Sequence, residues 1–348
     1  MAFDPDAAAA EGSGIYGLPH TAEEARVVIV PVPFEATTSY GGGTSAGPRA
    51  IFEASKQVDL YDRETGHPYE AGIAMLDEDP QVVQWNAEAK RIAPSVIAHG
   101  GVVDEETRRA ADDVNAYSER LNEWVYAQTS ALLDKGKIAV TLGGDHSVPF
   151  GAIRAYSERY PGLGILHLDA HADLRDAYEG FTWSHASIFH CVMTRLGVAR
   201  LVQAGVRDLG RAEGATIEAS RGRIVTFFDA DVAARKDAGT PFAAIADEIV
   251  AQLPNDVYLS WDIDGLDPTL CPGTGTPVPG GLSWNEAIGL LRALVRAKKR
   301  IVGLDLCEVA PGATEWDANV GARLLYKMIG FTLLTNPSAH PPSPPAAR

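Results

Sequence analysis

Cysteine and basic residues are scarce in this 348-residue sequence, and each shortage excludes a class of protein. The three cysteines, Cys191, Cys271 and Cys307, are an odd number without a C-x-x-C pair, which argues against a disulfide framework or a thiolate zinc site. Lys and Arg number 30 against 46 Asp and Glu, a formal charge of 30 − 46 = −16. A surface this acidic repels nucleic acid and anionic membranes and favours cationic ligands.

Long apolar runs and a targeting signal are also missing. No apolar run approaches the roughly 20 residues that a membrane-spanning helix needs, and residues 1–19 do not combine a basic region with an apolar stretch. We therefore expect a cytoplasmic protein with no membrane partner. With 46% hydrophobic and 22% charged residues, the chain has an ordinary globular composition.

Seven short β-branched runs predict strands, and amphipathic segments between them predict helices. The runs are continuously apolar, which is typical of parallel strands buried on both faces. Strands that alternate with helices indicate βαβ units and a parallel sheet, hence an α/β fold. The predicted strands are Val27–Val32, Ile138–Leu142, Gly164–Leu168, Leu201–Val206, Ile224–Phe228, Val257–Trp261 and Ile301–Leu306, and the clearest helices are Asn115–Asp134, Pro241–Leu253 and Ser283–Lys299.

Three regions do not follow this pattern. Residues 1–24 are assigned to an N-terminal extension and residues 336–348 to a Pro-rich tail, with one domain at 25–335 between them. The composition of the two terminal segments favours ends that are poorly ordered or that dock onto a partner. Residues 61–105 are predicted to form an irregular excursion that covers either the active-site side or an interface.

Polar motifs follow three of the predicted strands at the point where each strand ends. Chemistry in open α/β sheets takes place outside the carboxyl ends of the strands, and alternate residues of an extended chain face the same way. We therefore expect the side chains within each motif to converge. The motifs are GGDHS at Gly143–Ser147, DAHAD at Asp169–Asp173 and DIDGLDP at Asp262–Pro268.

The motifs predict a metal site. So many carboxylates cannot all stay ionised together unless a cation neutralises them, and imidazole with carboxylate suits Mn²⁺ while tolerating Ni²⁺, Co²⁺, Fe²⁺ or Zn²⁺. A single motif of this kind would be read as a turn former or a cap. Six ligands exceed the needs of one catalytic ion, so two bridged ions fit better. The predicted ligands are His146, Asp169, His171, Asp173, Asp262 and Asp264, whereas Asp145 and Asp267 are expected to orient ligands or cap helices.

Together the three motifs resemble the signatures of the ureohydrolases, the family of arginase, agmatinase and guanidinobutyrase. The resemblance covers about residues 25–330 and includes Pro48–Ile51, Pro272–Pro277 and Gly303–Glu308. It implies a three-layer α/β/α fold with a central, mostly parallel eight-stranded sheet. It also implies that Asp169 and Asp262 bridge two ions, one completed by His146 and Asp173 and the other by His171 and Asp264.

The resemblance further implies a hydrolase that cleaves a guanidinium C–N bond by attack of a metal-bridging hydroxide, releasing urea and an amine or ammonia. His185 matches a histidine that shuttles a proton, Glu308 matches the carboxylate that pairs with the guanidinium, and Asp173 is counted with them as catalytic. Substrate contacts are expected from Glu308, His185, Trp183 and Thr274. The two ions are expected to be Mn²⁺ or Ni²⁺. The family implies a homotrimer or hexamer, with a hetero-oligomer containing a related subunit left open.

The substrate is implied less sharply. Residues 173–186 look agmatinase-like, but Gly41–Gly43 and Phe52 depart from common agmatinases. Gln57–Asp62 and Glu315–Arg323 resemble the nickel-associated branch that hydrolyses guanidine, alkylguanidines or biguanides such as metformin. We therefore predict that the substrate is a small guanidine, with agmatine or guanidinobutyrate as the alternative. A single-zinc deacetylase of the same fold is a less favoured function. Three aromatic residues are candidates for the walls of a short pocket: Phe181, Trp183 and Trp316. The alternative is that they are core or interface residues.

Overall fold

The computed structural model describes residues 3–336 of the chain. Its strands are β1 Val27–Val32, β2 Ile73–Met75, β3 Ile138–Gly143, β4 Gly164–Leu168, β5 Arg200–Ala204, β6 Ile224–Phe227, β7 Asp256–Asp262 and β8 Arg300–Cys307. Its helices are α1 Gly47–Ser55, α2 Pro80–Ile97, α3 Glu105–Asp134, α4 Phe150–Arg159, α5 Ile188–Arg195, α6 Arg211–Ala219, α7 Asp229–Asp237, α8 Phe242–Ala251, α9 Trp284–Arg296 and α10 Trp316–Thr335.

The described strands form one eight-stranded sheet in the order β2-β1-β3-β8-β7-β4-β5-β6. Every pairing between neighbouring strands is parallel. The prediction of a mostly parallel eight-stranded sheet is confirmed. All eight carboxyl ends therefore lie along one edge, where ligands bind in sheets of this kind.

Helices cover both faces of the sheet, because each strand carries apolar side chains on both sides. In β1, Val27 and Ile29 belong to the apolar cluster that contains α1, α8, α9 and α10. Val28 and Val30 belong to the cluster on the other face, which contains α2 and α3. A third cluster joins α4 and α5 to β4 and β5. The result is the expected three-layer α/β/α arrangement.

Hydrogen bonds within the first turn fix where several helices begin. Ser283 and Glu286 form a reciprocal capping box at α9, and Asp104 and Thr107 form one at α3. Each box satisfies backbone N–H groups that the helix itself leaves without a partner. None of the helices within residues 3–336 is long and apolar enough to cross a membrane.

The expectation of an irregular excursion at residues 61–105 is wrong. This stretch contains the edge strand β2 and the 18-residue helix α2, which packs against α3. Asp79 caps α2 by accepting a hydrogen bond from the Gln81 N–H at 2.8 Å, and Pro80 occupies the first turn. Helix α2 therefore covers one face of the sheet, and Asn86 on it accepts the Glu35 N–H at 2.9 Å.

The N-terminal extension is also more ordered than expected over part of its length. Ile15 and Leu18 are fully buried, and the Tyr16 hydroxyl donates to the Ala322 carbonyl at 3.1 Å. These contacts fasten the segment to α10. Of the Pro-rich tail, residues 337–348 lie outside the described part of the chain, so the expectation for them is unchanged.

Candidate metal centre

Four adjacent strands at the centre of the sheet deliver the predicted site residues. The sheet order places β3, β8, β7 and β4 side by side. His146 follows β3, Glu308 follows β8, Asp262 ends β7 and Asp169 follows β4. Strands that are far apart in the sequence therefore bring the motifs to one point at the carboxyl edge.

Asp169, Asp173 and His146 form the first half of the site. The His146 Nδ1 atom lies 3.0 Å from Asp169 Oδ2, 3.5 Å from Asp173 Oδ2 and 3.5 Å from Asp262 Oδ2. All four side chains are at least 94% buried. One imidazole nitrogen thus faces three carboxylates in an interior setting.

His171 and Asp264 form the second half around the same Asp169. The His171 Nδ1 atom lies 3.3 Å from Asp169 Oδ1 and 3.1 Å from Asp264 Oδ2. The Asp262 Oδ1 atom accepts the Asp264 N–H at 2.8 Å, which holds the two carboxylates of the DID motif in fixed relation. Asp169 belongs to both halves, with one oxygen directed to each.

The electrostatics of the site call for added positive charge. Burial raises the pKa of Asp173 and of Asp262 well above the usual range, and the neighbouring Asp169 carboxylate raises both further. Burial would also raise the pKa of Asp169, but His167 and His146 lower it well below its usual value. Burial disfavours a charged His171, yet Asp169 and Asp264 raise its pKa to about 12. Divalent cations relieve carboxylate crowding of this kind and displace the imidazole proton.

The donor set therefore fits a metal centre built from oxygen and nitrogen ligands. Two imidazoles and four carboxylates converge, all of them buried except the partly exposed His171, and none of the six groups is a thiolate. Asp173 also adopts a left-handed backbone conformation, with φ of 54°. Such strain in a non-glycine residue is typical of functional sites, where the surrounding structure holds a side chain in place.

Glu308 lies beside these ligands with one oxygen engaged and one without a protein partner. Its Oε1 atom accepts the His146 N–H at 2.9 Å, whereas the buried Oε2 atom has no hydrogen-bond partner within the described chain. Burial, with the Asp262 charge added, raises the pKa of Glu308 well above its usual range. Its backbone is left-handed, with φ of 66°. A carboxylate held in this way is suited to a cationic partner with N–H donors.

Glycine at position 275 leaves room for a ligand to approach Glu308. A Cβ atom built on Gly275 would lie 3.2 Å from Glu308 Oε2. The preceding Thr274 is buried, and its hydroxyl has no protein partner among the described residues. The predicted contact residue Thr274 is therefore next in sequence to the glycine that borders the free oxygen of Glu308.

His185 is partly buried, and its electrostatic neighbours include His171. Its Nδ1 atom is buried without a protein partner in the described chain, and its ring packs edge-on to Tyr178 with centroids 6.2 Å apart. Burial lowers the pKa of His185 to about 4, with the charge of His171 acting in the same direction. Both effects favour the neutral form of the His185 ring.

The structure does not bring the three predicted pocket aromatics together. Phe181 is fully buried in the cluster with α2 and α3. Trp183 packs edge-on against Phe150 at 4.8 Å and under the Arg195 guanidinium at 4.5 Å, on the helical layer. Trp316 is half-exposed at the start of α10. Phe181 and Trp183 therefore act as packing residues. The surroundings of Trp183 give no support to its predicted role in substrate binding.

Asp145 and Asp267 make the local contacts expected of supporting residues. The Asp145 Oδ1 atom accepts the Ser147 hydroxyl at 2.5 Å, and the Asp267 Oδ1 atom accepts the Thr269 hydroxyl at 2.6 Å. His167 precedes the DAHAD motif and is not part of it, so sequence reasoning did not connect this residue with the site. The His167 Nε2 atom lies 2.8 Å from Asp169 Oδ2. Its position two residues before a ligand, on the same face of a strand, was the available signal.

Comparison with known proteins agrees with the fold and identifies the family. Residues 25–330 match the arginase family, and the chain belongs to that family. It is an arginase-family ureohydrolase. It is 35% identical over 310 residues to the N(1)-aminopropylagmatine ureohydrolase of Thermus thermophilus, covering 89% of this chain and 91% of that protein. It is 30% identical over 289 residues to an agmatinase of Bacillus anthracis, covering 83% of this chain and 85% of that one.

Solved structures of other proteins have the same fold as this chain. The agmatine ureohydrolase of Thermoplasma volcanium has a TM-score of 0.72 at 25% identity, over 92% of this chain and 94% of that one. The proclavaminate amidino hydrolase of Streptomyces clavuligerus has a TM-score of 0.72 at 23% identity, over 95% and 100% of the two chains. At this lower identity the second likeness shows the fold alone. The predicted family and fold are confirmed.

Proposed function

We propose that this chain is a dinuclear-metal hydrolase that cleaves a C–N bond of a small guanidine compound to give urea and an amine or ammonia. The observation that carries this proposal is the convergence of six donor residues, five of them buried and His171 partly exposed, in a cluster whose two halves share Asp169. One ion would be held by His146 and Asp173, and the other by His171 and Asp264. Asp169 and Asp262 would be shared by both ions. When bound, Mn²⁺ or Ni²⁺ would supply a hydroxide nucleophile at neutral pH by lowering the pKa of water.

The overall reaction assigns separate tasks to the remaining side chains. A guanidinium carbon is deactivated by resonance, so the substrate must be held in place and the leaving nitrogen must gain a proton. The C–O bond to the added water oxygen forms, the C–N bond to the leaving amine breaks, and one proton moves to that amine. Urea keeps the other two nitrogens.

Glu308 is the proposed partner of the substrate cation. The guanidinium presents parallel N–H groups, and a carboxylate accepts them in a bidentate pair. Because Oε1 already accepts the His146 N–H, the free Oε2 atom provides the main acceptor. Pairing there would also compensate the buried negative charge of Glu308.

His185 is the proposed carrier of the proton for the leaving amine. Its ring has a buried Nδ1 atom without a partner in the described chain, and imidazole is a common side chain for proton transfer. Asp173 and the other ligands hold the reacting centre in place. His185 therefore acts beside the metal ligands without being one of them.

The proposed substrate class is a small guanidine, although the named relatives act on larger ones. The loop that contains Gly41 lies against Gly275, which itself borders Glu308, because a Cβ atom on Gly41 would meet the Gly275 carbonyl at 2.6 Å. Glu35 lines the same loop, and its carboxylate is already engaged by Lys90, Thr44 and Ser45. A second cationic group on a long substrate that reached this loop would therefore find the Glu35 carboxylate already paired.

Agmatine is the second candidate, supported by the names of the relatives from Thermus thermophilus and Bacillus anthracis. The deciding experiment measures urea released from guanidine, methylated guanidines, biguanides, agmatine, guanidinobutyrate and arginine, with Mn²⁺ and with Ni²⁺. We expect the highest kcat/KM for a small monocationic guanidine. Higher kcat/KM for agmatine would assign the chain to the second candidate, and no urea from any of them would refute the proposed reaction.

The oligomeric state and the cellular location are also proposals. We expect a homotrimer or hexamer in solution, with assembly alongside a related subunit as the alternative, and a cytoplasmic location. Light scattering on the purified chain measures the first of these. A monomer that is fully active would contradict the expected assembly without affecting the metal centre.

A further inference from the structure

A row of polar side chains crosses the interior of the sheet beneath the metal centre. Six residues on neighbouring strands are paired by register, each with the next: Thr141, Asp305, Ser260, His167, Gln203 and Thr226. The first five are buried. Interior positions of parallel strands are ordinarily apolar, and a buried polar group costs free energy unless it is hydrogen-bonded. The row therefore requires an explanation.

Gln203 has its amide orientation fixed by the groups around it. Its Nε2 atom lies 2.8 Å from the Ala172 carbonyl oxygen, which can only accept a hydrogen bond. Its Oε1 atom accepts the Thr226 hydroxyl at 2.9 Å. The remaining Nε2 hydrogen faces His167 Nδ1 at 2.9 Å. The three contacts together are consistent with one orientation of the amide only.

This orientation selects one tautomer of His167. Because Gln203 donates to Nδ1, that nitrogen must be unprotonated, and a neutral His167 carries its proton on Nε2. The Nε2 atom lies 2.8 Å from Asp169 Oδ2 and therefore donates to it. On the other side, the His171 backbone N–H donates to Asp169 Oδ1 at 2.6 Å. Both oxygens of Asp169 are thus held by N–H donors.

We propose that Gln203 is a positioning residue of the metal centre, which acts by holding His167 in the tautomer that donates to the shared carboxylate Asp169. The hydrogen bond fixes the plane of that carboxylate and leaves its remaining lone pairs directed to the two halves of the cluster. Partners one step removed from a metal commonly orient ligands in this way. The inference rests on the metal centre proposed above and adds a residue that touches neither metal ligand nor substrate.

A purely structural role for Gln203 leads to different expectations. If the row only satisfies buried polar groups, either tautomer of His167 would serve after a rearrangement of the amide, and metal affinity would not depend on Gln203. The positioning role requires one tautomer before any metal is present. It also requires metal affinity to fall when the donor to Nδ1 is removed.

The first test is the tautomer of His167 in the metal-free full-length chain. ¹⁵N-histidine labelling with two-bond ¹H–¹⁵N NMR distinguishes a protonated Nε2 from a protonated Nδ1, and a His167→Gln variant identifies the resonance. We expect Nε2 to carry the proton and Nδ1 to be unprotonated. Protonation of Nδ1 in the wild-type chain would overturn the proposal, and this readout needs neither activity nor a folded Gln203 variant.

The second test compares two variants that remove different hydrogen bonds from the same glutamine. Gln203→Met keeps the length of the side chain but removes both Nε2 donations and the Oε1 acceptor, whereas Thr226→Val removes only the hydrogen bond to Oε1. Titration of each metal-free protein with Mn²⁺ and Ni²⁺ by calorimetry measures affinity. We expect a fall of about ten- to hundredfold in Gln203→Met, the range typical for such partners, and a much smaller change in Thr226→Val.

The outcomes separate this inference from the proposed function. Equal metal affinity in wild type and Gln203→Met would overturn the role of Gln203 alone. Equal losses in both variants would assign the effect to packing of the row and overturn it as well. No metal binding by the wild-type chain would remove the proposed function, and the role of Gln203 with it.

Discussion

Glu308→Gln provides a sharp test of how the substrate is held, because the surrounding backbone determines how the new amide must lie. The His146 N–H donates to Oε1 at 2.9 Å, so the glutamine carbonyl oxygen will occupy that position. The amide NH₂ group then replaces Oε2, the free acceptor. A donor will face the N–H groups of the guanidinium, and the charge of the pair will be lost.

The expected magnitude follows from that single exchange. A hydrogen bond to a charged group contributes up to about 3 kcal/mol, which corresponds to roughly a 150-fold fall in kcat/KM at 1.36 kcal/mol per factor of ten. The assay is urea release under kcat/KM conditions, with metal content measured on the same protein. The matched control is Glu315→Gln, an exposed glutamate in the next loop, which should leave both values unchanged.

Two results would refute this reasoning. A kcat/KM within roughly threefold of wild type, less than about 0.7 kcal/mol, would show that the guanidinium pairs elsewhere. A parallel loss of bound metal would show that Glu308 acts by holding the His146 backbone instead of by binding substrate. Metal content is therefore as informative as the rate.

Four further predictions concern the rest of the site. His146→Ala should abolish urea release and lower metal content together, and retained turnover would remove His146 from the centre. His185→Ala should slow turnover with the unfolding midpoint unchanged, and an unchanged rate would reassign the proton carrier. Gly275→Ala places a methyl group 3.2 Å from Glu308 Oε2 and should raise KM with metal content intact; an unchanged KM would place the substrate elsewhere. Chelation should lower the midpoint of thermal unfolding, because each ion at about 100 times its Kd contributes about 2.7 kcal/mol, and an unchanged midpoint would contradict tight binding.

The sequence predicts the centre of this fold well because buried parallel strands have a simple pattern. The run Gly164–Leu168 is β4 without change, and Val27–Val32 is β1. The ligand motifs follow strands that the sequence separates but the sheet order makes neighbours. The placement of each motif just after a predicted strand indicated that these ends would meet, and the family resemblance then assigned the ligands to the two ions.

The edge of the fold was harder to predict for identifiable reasons. Strand β2 has three residues, too few for a periodic pattern. Helix α2 contains Pro94 and buries two small alanines, Ala89 and Ala93, beside its valines, so its apolar stripe is weak. A proline within a helix and a low contrast between faces both argue against a helix in the sequence alone.

Contacts between strands were beyond sequence reasoning altogether. His167, Ser260 and Gln203 each stand out as polar residues in apolar runs, but only the register brings them into one row. The same limit applies to Trp183, whose neighbours Phe150 and Arg195 come from α4 and α5. Side-chain surroundings of this kind depend on tertiary packing, which single-sequence periodicity does not encode.

The measurement that tests the central claim most directly is the position and number of bound metal ions. Crystals of the full-length protein grown with Mn²⁺, with anomalous diffraction collected at the manganese edge, locate each ion independently of activity. We expect two peaks per chain, one near His146 and Asp173 and one near His171 and Asp264, with Asp169 between them. A single peak, or two peaks away from these residues, would contradict the account.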